Sequence, residues 1–218
     1  MRNRRIQSKN RTKFRRRRSM VETLEDRRLL TVWTVNDPGD RIADDGKVTL
    51  REAVDAAVNN ISRREAKPAG SVDDVILFAD SMRGQTITLT APLVLDGVLT
   101  TGISANSGNA DRNAGSITII GPGMDQFTID GSGVEHISTV EDTIKIVGME
   151  LKGRQKAAII TATRDCSCGG TTSSDNFQVQ ESYVTLDGVR ITESGGSGIR
   201  HLEGTLEIYN SEIVGTPP

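Results

Sequence analysis

Three observations predict an all-β chain: a short parallel solenoid of about four coils, with one amphipathic helix at its head and a disordered basic tail before it. The first is a repeat. Val184, Leu186, Val189 and Ile191 recur 22 residues later as Leu206, Ile208, Ser211 and Ile213, and the same frame appears earlier as Ile144, Ile146, Met149 and Leu151. Each copy has two positions spaced by two, a small or turn residue (Gly148, Gly188 or Asn210), then two more. Period-two alternation gives a strand one buried face, and the turn residue redirects the chain. A unit that cannot bury its face alone must stack on its copies, which predicts a parallel β-helix. On this reading Ile208→Asp unfolds the last coils. The second observation is composition. Aromatics make up only 3% of the chain against 22 glycines, too few for a usual α/β core but enough where stacked Ile, Val and Leu fill a narrow interior. The third is a charge split under a net charge of −2. Residues 1–20 hold eight Arg, two Lys and no acid, whereas residues 31–218 hold 15 basic and 26 acidic groups. Such asymmetry separates a tail (1–30) from a body (31–218).

Residues 1–20 have no apolar periodicity and cannot offset the entropy of folding alone. They read as a solvated tail, as an arm whose clustered Arg neutralises nucleic-acid phosphates, or as the positive end of an export signal. An ordinary secretory signal needs an apolar run next, and Met20 to Asp26 is not one. No run approaches the ~18–20 apolar residues of a membrane span.

The body opens on Thr31 to Asn36, a strand with Val32 and Thr34 on one face and Trp33 and Val35 on the other. A turn follows at Asn36–Asp40. Asp37, Asp40, Asp44 and Asp45 cluster before Gly46, a set of hard oxygens that suggests Ca²⁺, but the spacing is not that of an EF-hand and a polar turn explains it better. Thr49-Leu50-Arg51-Glu52 is a capping box. Leu50, Ala53, Val54, Ala57 and Val58 then form one apolar helix face over about 49–60, with Arg51, Glu52 and Asp55 outside it. Such a helix covers the open end of the first coil. Residues 62–72 read as a loop. Strands follow at 74–78, 87–89 and 93–95, then a Gly/Asn/Ser-rich loop at 102–115, then strands at 117–120 and 127–131. Residues 162–182 interrupt the repeat, stretching one step to 40 residues, and contain Cys166 and Cys168. Two Cys at i, i+2 make a poor metal pair and a strained disulfide.

Two resemblances rest on these residues. Leu24, Glu25, Asp26, Arg27, Arg28, Leu29 and Leu30 resemble the Leu-Glu-Pro/Asp-Arg-x-Leu-Leu segment of large planctomycete surface and secreted proteins, where a basic stretch precedes the segment and an extracellular repeat domain follows. This implies that residues 1–30 are a sorting segment and that the body is extracellular or envelope-bound. Thr49-Leu50-Arg51-Glu52-Ala53-Val54, an Ile-Leu-Phe strand, Ile-Thr-Leu, Ile-Ile-Gly-Pro-Gly and Thr-Ile-Asp-Gly, in that order, look like right-handed β-helix proteins related to polymorphic outer-membrane proteins. Many relatives carry a Cys before the Leu-Arg-Glu-Ala motif, where Val48 and Thr49 stand here. Right-handedness follows from this resemblance and from the crossover rule. The resemblance implies adhesion, display or carbohydrate binding.

Parallel β-helices also include polysaccharide lyases and hydrolases. Candidate groups for such chemistry are Asp125, Asp130, Glu135, Asp187, Glu193, Arg200, His136 and His201. Asp130 and Asp187 each precede a turn Gly, a usual place for Asp, and the motif series of pectin-degrading hydrolases is absent. The sequence therefore predicts no catalytic residue and no cofactor. It favours a non-enzymatic partner role toward carbohydrate or another surface protein, with a polysaccharide lyase- or hydrolase-like enzyme, or its inactive remnant, as the runner-up and nucleic-acid binding by the tail as the third reading. The chain reaches Pro218 without a polar cap, so either it is a truncated member of a longer family or its last coil pairs with another subunit.

Overall fold

The structure, a computed structural model, describes residues 30–59, 73–95, 116–134, 137–140, 143–154, 157–161, 182–202 and 204–215. The chain is mostly β-strand with one α-helix. Its strands are β1 (Thr31–Val35), β2 (Asp73–Phe78), β3 (Gln85–Thr88), β4 (Leu93–Leu95), β5 (Ser116–Ile120), β6 (Phe127–Asp130), β7 (Ser138–Val140), β8 (Thr143–Arg154), β9 (Ile159–Thr161), β10 (Tyr183–Ser194), β11 (Ile199–His201), β12 (Thr205–Tyr209) and β13 (Glu212–Gly215); helix α1 is Leu50–Asn59. Every strand pair among the described residues is parallel. One sheet has nine strands with the path β1-β2-β5-β8-β10-β12, and β3, β6 and β13 pair beside it; a second has four, in the order β11-β9-β7-β4. The main path is thus six strands deep, where the sequence reading expects about four coils.

The repeat frame is the hydrogen-bonding register. Val184 pairs Ile144 on one side and Leu206 on the other, and Leu186 pairs Ile146 and Ile208. Ile191 pairs Leu151 and Ile213. These side chains form columns one strand spacing apart, ~4.8 Å. Within the stack they are buried: Ile144, Ile146, Met149, Leu151, Val184, Leu186, Val189 and Ile191 are all nearly inaccessible. Gly148 and Gly188 break β8 and β10 in the middle, each at φ 63°, and Asn210 stands at φ 47° between β12 and β13. All three lie in the left-handed region that only Gly, and less readily Asn, adopts without steric cost.

At the head, β1 alternates as its pattern predicts, with Thr31, Trp33 and Val35 buried. Helix α1 packs on β1, β2 and β4. Leu50, Ala53, Val54 and Ala57 are buried as expected, and Ala56 joins them. Glu52, expected outside the apolar face, is 1% exposed. Its burial follows from capping. The Thr49 N–H donates to Glu52 Oε2 at 3.0 Å, the Glu52 N–H donates to Thr49 Oγ1 at 3.2 Å, and the Ala43 N–H donates to Glu52 Oε1 at 2.8 Å. Thr49 Oγ1 also donates to the Arg41 carbonyl at 2.7 Å. Because the hydroxyl serves both the helix and the preceding loop, Thr49→Ala should cost about 2 kcal/mol, the upper end for a cap. A urea melt with an unchanged midpoint would remove the cap from the account of this helix.

One reading is corrected. Ile208 is 43% exposed and Ile213 49% exposed, because β12 and β13 pair only with β10 among the described residues. Ile208→Asp therefore places its charge at an accessible edge and should not unfold the last strands. The second sheet is also new. Of its members only β4, whose Leu93-Val94-Leu95 is apolar throughout, is readable as a strand; β7, β9 and β11 are as short but mix polar residues into their three positions.

Candidate functional site

The outer face of the trailing half of the large sheet carries a polar ladder. Thr86 pairs Thr128, Thr128 pairs Glu150, Glu150 pairs Arg190 and Arg190 pairs Glu212. A neighbouring column runs Thr88, Asp130, Lys152 and Thr192. These residues alternate with the buried Ile87, Ile129, Leu151 and Ile191, so the same period that fills the core aims them outward.

Neighbouring strands tie the ladder together. Glu150 is fixed from both sides: Thr128 Oγ1 donates to its Oε2 at 2.9 Å and Thr192 Oγ1 to its Oε1 at 3.0 Å. Arg190 bridges two acids, with Nε donating to Glu212 at 2.8 Å and Nη1 to Asp125 at 2.6 Å. Glu212 and then Asp125 hold its guanidinium more firmly protonated than usual. Arg83 donates to Gln126 at the rim. Gly84, Gln85, Thr86, Asp125, Glu150 and Arg190 help line an open cleft of about 220 Å³. Its donors and acceptors are preset by strand register, and buried Phe127 also contributes to its lining.

Beside the cleft, Lys152 Nζ lies 3.1 Å from Glu193, which raises the lysine pKa. Glu193 adopts φ 53° between the register pairs Thr192–Lys152 and Ser194–Arg154, the position Gly153 holds one strand earlier at φ 61°. A left-handed Glu costs roughly 1–2 kcal/mol relative to an unstrained residue, and its exposed ion pair returns only a fraction of that. Glu193→Gly should therefore stabilise the chain by about 1 kcal/mol, read as a rise in thermal midpoint. A fall would show that the Lys152 contact outweighs the strain.

The other candidates separate. Asp125 joins the cleft. Asp130 accepts the Ser132 N–H at 2.8 Å, a turn role. Asp187 accepts from Asn210 Nδ2 at 2.9 Å beside the bend. Arg200 is exposed on β11. His201 Nδ1 lies 2.8 Å from Thr161 Oγ1 and its Nε2 3.1 Å from the Gly204 carbonyl. That carbonyl accepts from Nε2–H, and Thr161 Oγ1 also accepts the Leu202 N–H. The ring holds a turn. Glu135, His136, Cys166, Cys168 and residues 24–29 of the sorting segment lie outside the described residues, and Leu30 is exposed next to β1.

Of the acidic cluster before Gly46, Asp37, Asp40 and Asp45 are committed to cations of the chain itself. Arg41 bridges Asp37 and Asp45, at 3.0 and 2.6 Å, and Lys47 approaches Asp37 at 3.4 Å. The Gly39 N–H, then Arg41, lower the Asp37 pKa against the opposing effect of burial, and Arg41 lowers that of Asp45. Arg51 takes Asp40 through two contacts, 2.7 and 2.8 Å. Among the described residues no group of three His, Cys, Asp or Glu is arranged to hold a metal. Nor is any described helix long and apolar enough to cross a membrane.

The sequence reading missed Thr128, Glu150, Arg190, Thr192 and Glu212. The signal was present: Thr128 to Glu150 and Arg190 to Glu212 are both the 22-residue step of the core repeat. No family model, no curated protein and no solved structure matches the chain.

Proposed function

We propose that this chain is an exported, non-enzymatic cell-surface protein of right-handed parallel β-helix type, and that its outer polar ladder contacts carbohydrate. The observation that carries the reading is the in-register run Thr86, Thr128, Glu150, Arg190 and Glu212 beside an open cleft. Sugars present dense hydroxyls that both donate and accept. A rigid array of Thr hydroxyls, carboxylates and a guanidinium meets them with both capacities and loses little entropy on binding. The columns repeat at ~4.8 Å, comparable to the advance of one hexose along a linear chain, so each strand can serve one sugar unit. The solenoid reading draws support from the parallel pairing and from bends in register at Gly148, Gly188 and Asn210. Export draws support from the basic stretch followed by Leu24–Leu30, which resembles the planctomycete surface-protein segment.

The test is retardation of the chain in gels containing neutral or acidic linear polysaccharides, with Arg190→Ala and Thr128→Ala beside the parent. Retardation reduced at least about fivefold by either substitution is expected; a loss of ~1 kcal/mol per hydrogen bond corresponds to that factor. Equal mobility of all three proteins in every gel would overturn the assignment of this face. Release of unsaturated sugars would transfer the site to lyase chemistry.

A further inference from the structure

We propose, building on the carbohydrate reading above, that the cleft beside the ladder selects sugar units carrying a charged amine, with the Glu150 carboxylate taking the ammonium. Glu150 lines the cleft and is half-buried in it. Among the described residues its carboxylate meets hydroxyls alone, Thr128 on one oxygen and Thr192 on the other. An ionised carboxylate accepts at about two sites per oxygen, so each oxygen keeps capacity for one more donor.

The described cations around it are already matched. Arg190 is held by Asp125 and Glu212, at 2.6 and 2.8 Å, Lys152 by Glu193 at 3.1 Å, and Arg83 by Asp80 at 3.3 Å. Charge for charge, these groups leave Glu150 over, and Arg190 alone carries both Asp125 and Glu212. The surplus on this face is therefore negative. A uronate would bring a like charge to Glu150 and find the guanidinium already engaged. A neutral hexose can donate its hydroxyls to Glu150. An ammonium donates with a full opposite charge, and charge-assisted hydrogen bonds are about twice as strong as neutral ones.

The rest of the cleft suits a sugar ring better than a lysine side chain. Thr86 and Thr128 continue the Glu150 column strand by strand, and Gln85 joins them in the lining. Together they offer both donors and acceptors to ring hydroxyls, at the ~4.8 Å strand spacing. A lysine carries its polar group only at the tip of an apolar stem and would leave Gln85 and Thr86 to water.

The test is titration calorimetry of the full chain at low salt and mildly acidic pH, where the amine is charged, with the tetramers of glucosamine, N-acetylglucosamine and lysine. The glucosamine tetramer should bind about tenfold tighter than its acetylated form. Glu150→Gln should remove that preference, and Glu207→Gln, the same charge change at an exposed position outside the cleft, should leave it intact. Gln can keep both threonine contacts, because a hydroxyl accepts as well as donates, so the variant preserves the ladder. Equal binding of the two sugars, or a preference that Glu150→Gln spares or Glu207→Gln also removes, would overturn the amine assignment while the carbohydrate reading stands. Tetralysine bound as tightly, with the same dependence on Glu150, would reassign the cleft to a basic peptide. Binding of neither sugar would overturn both readings.

Discussion

Asp40→Ala should destabilise the chain by about 3 kcal/mol, the order seen when one partner of a buried charged pair is removed. The Asp40 side chain is 1% exposed and accepts from three directions. Arg51 Nε and Nη2 grip both carboxylate oxygens, and the Thr90 N–H and hydroxyl donate at 2.6 and 2.8 Å. Arg51 also donates to the Ala91 and Pro92 carbonyls. One carboxylate thereby clamps the loop before α1, the helix, and the turn between β3 and β4. Removing it takes away the only carboxylate contacts described for Arg51, which keeps the Ala91 and Pro92 carbonyls, and unties the turn at Thr90. Burial by itself would raise the Asp40 pKa, but Arg51 and Thr90 more than offset it and leave the value below normal. The sign follows. A depressed folded-state pKa means a contribution fully present above the unfolded value, ~3.9, and lost as pH falls through the folded value. Urea melts of the parent and Asp40→Asn should therefore differ most at neutral pH and converge below about pH 4. A constant gap down to pH 2 would sink the clamp as described.

Leu186→Asp should cost more than about 4 kcal/mol and leave the chain unfolded or molten, whereas Ile208→Asp should cost less than about 1 kcal/mol. The two residues are register partners with the same sequence environment in the repeat. Leu186 is 1% exposed, between Ile146 and Ile208, where an ionised carboxylate has no donor to meet it. Ile208 is 43% exposed, and a carboxylate there reaches water. Circular dichroism melts of the two variants decide the matter. Equal losses would mean that β12 is covered in solution as fully as β10.

The core of this protein was legible because its signal is doubly periodic. Alternation told which residues of β10 face inward, and the 22-residue step told which residues lie beside them. The capping box at Thr49 was equally local, a matter of residues three apart. What failed to show is short or non-local. Strands β7, β9 and β11 have three residues each and, unlike the all-apolar β4, mix polar residues into them. Burial of Glu52 depends on Ala43, nine residues upstream, and exposure of Ile208 depends on what stands beyond it, which its own neighbours in sequence do not encode. The polar ladder was hidden for another reason. Thr, Glu and Arg on a strand's outer face look like ordinary solvent positions until register joins Thr128 and Thr192 to Glu150 by hydrogen bonds and sets Arg190 beside them, bound to Glu212 and Asp125.

The long step between β8 and β10 separates chain length from architecture. Ile144 and Val184 are 40 residues apart and still pair in the register that Val184 and Leu206 keep across 22. The additional residues all enter between Thr161 and Ser182, after the second sheet has been visited and before the next pass begins. Each doubling of such an excursion adds only ~0.6 kcal/mol of closure entropy. Added length at that step is consequently cheap, while the columns on either side of it keep a fixed count.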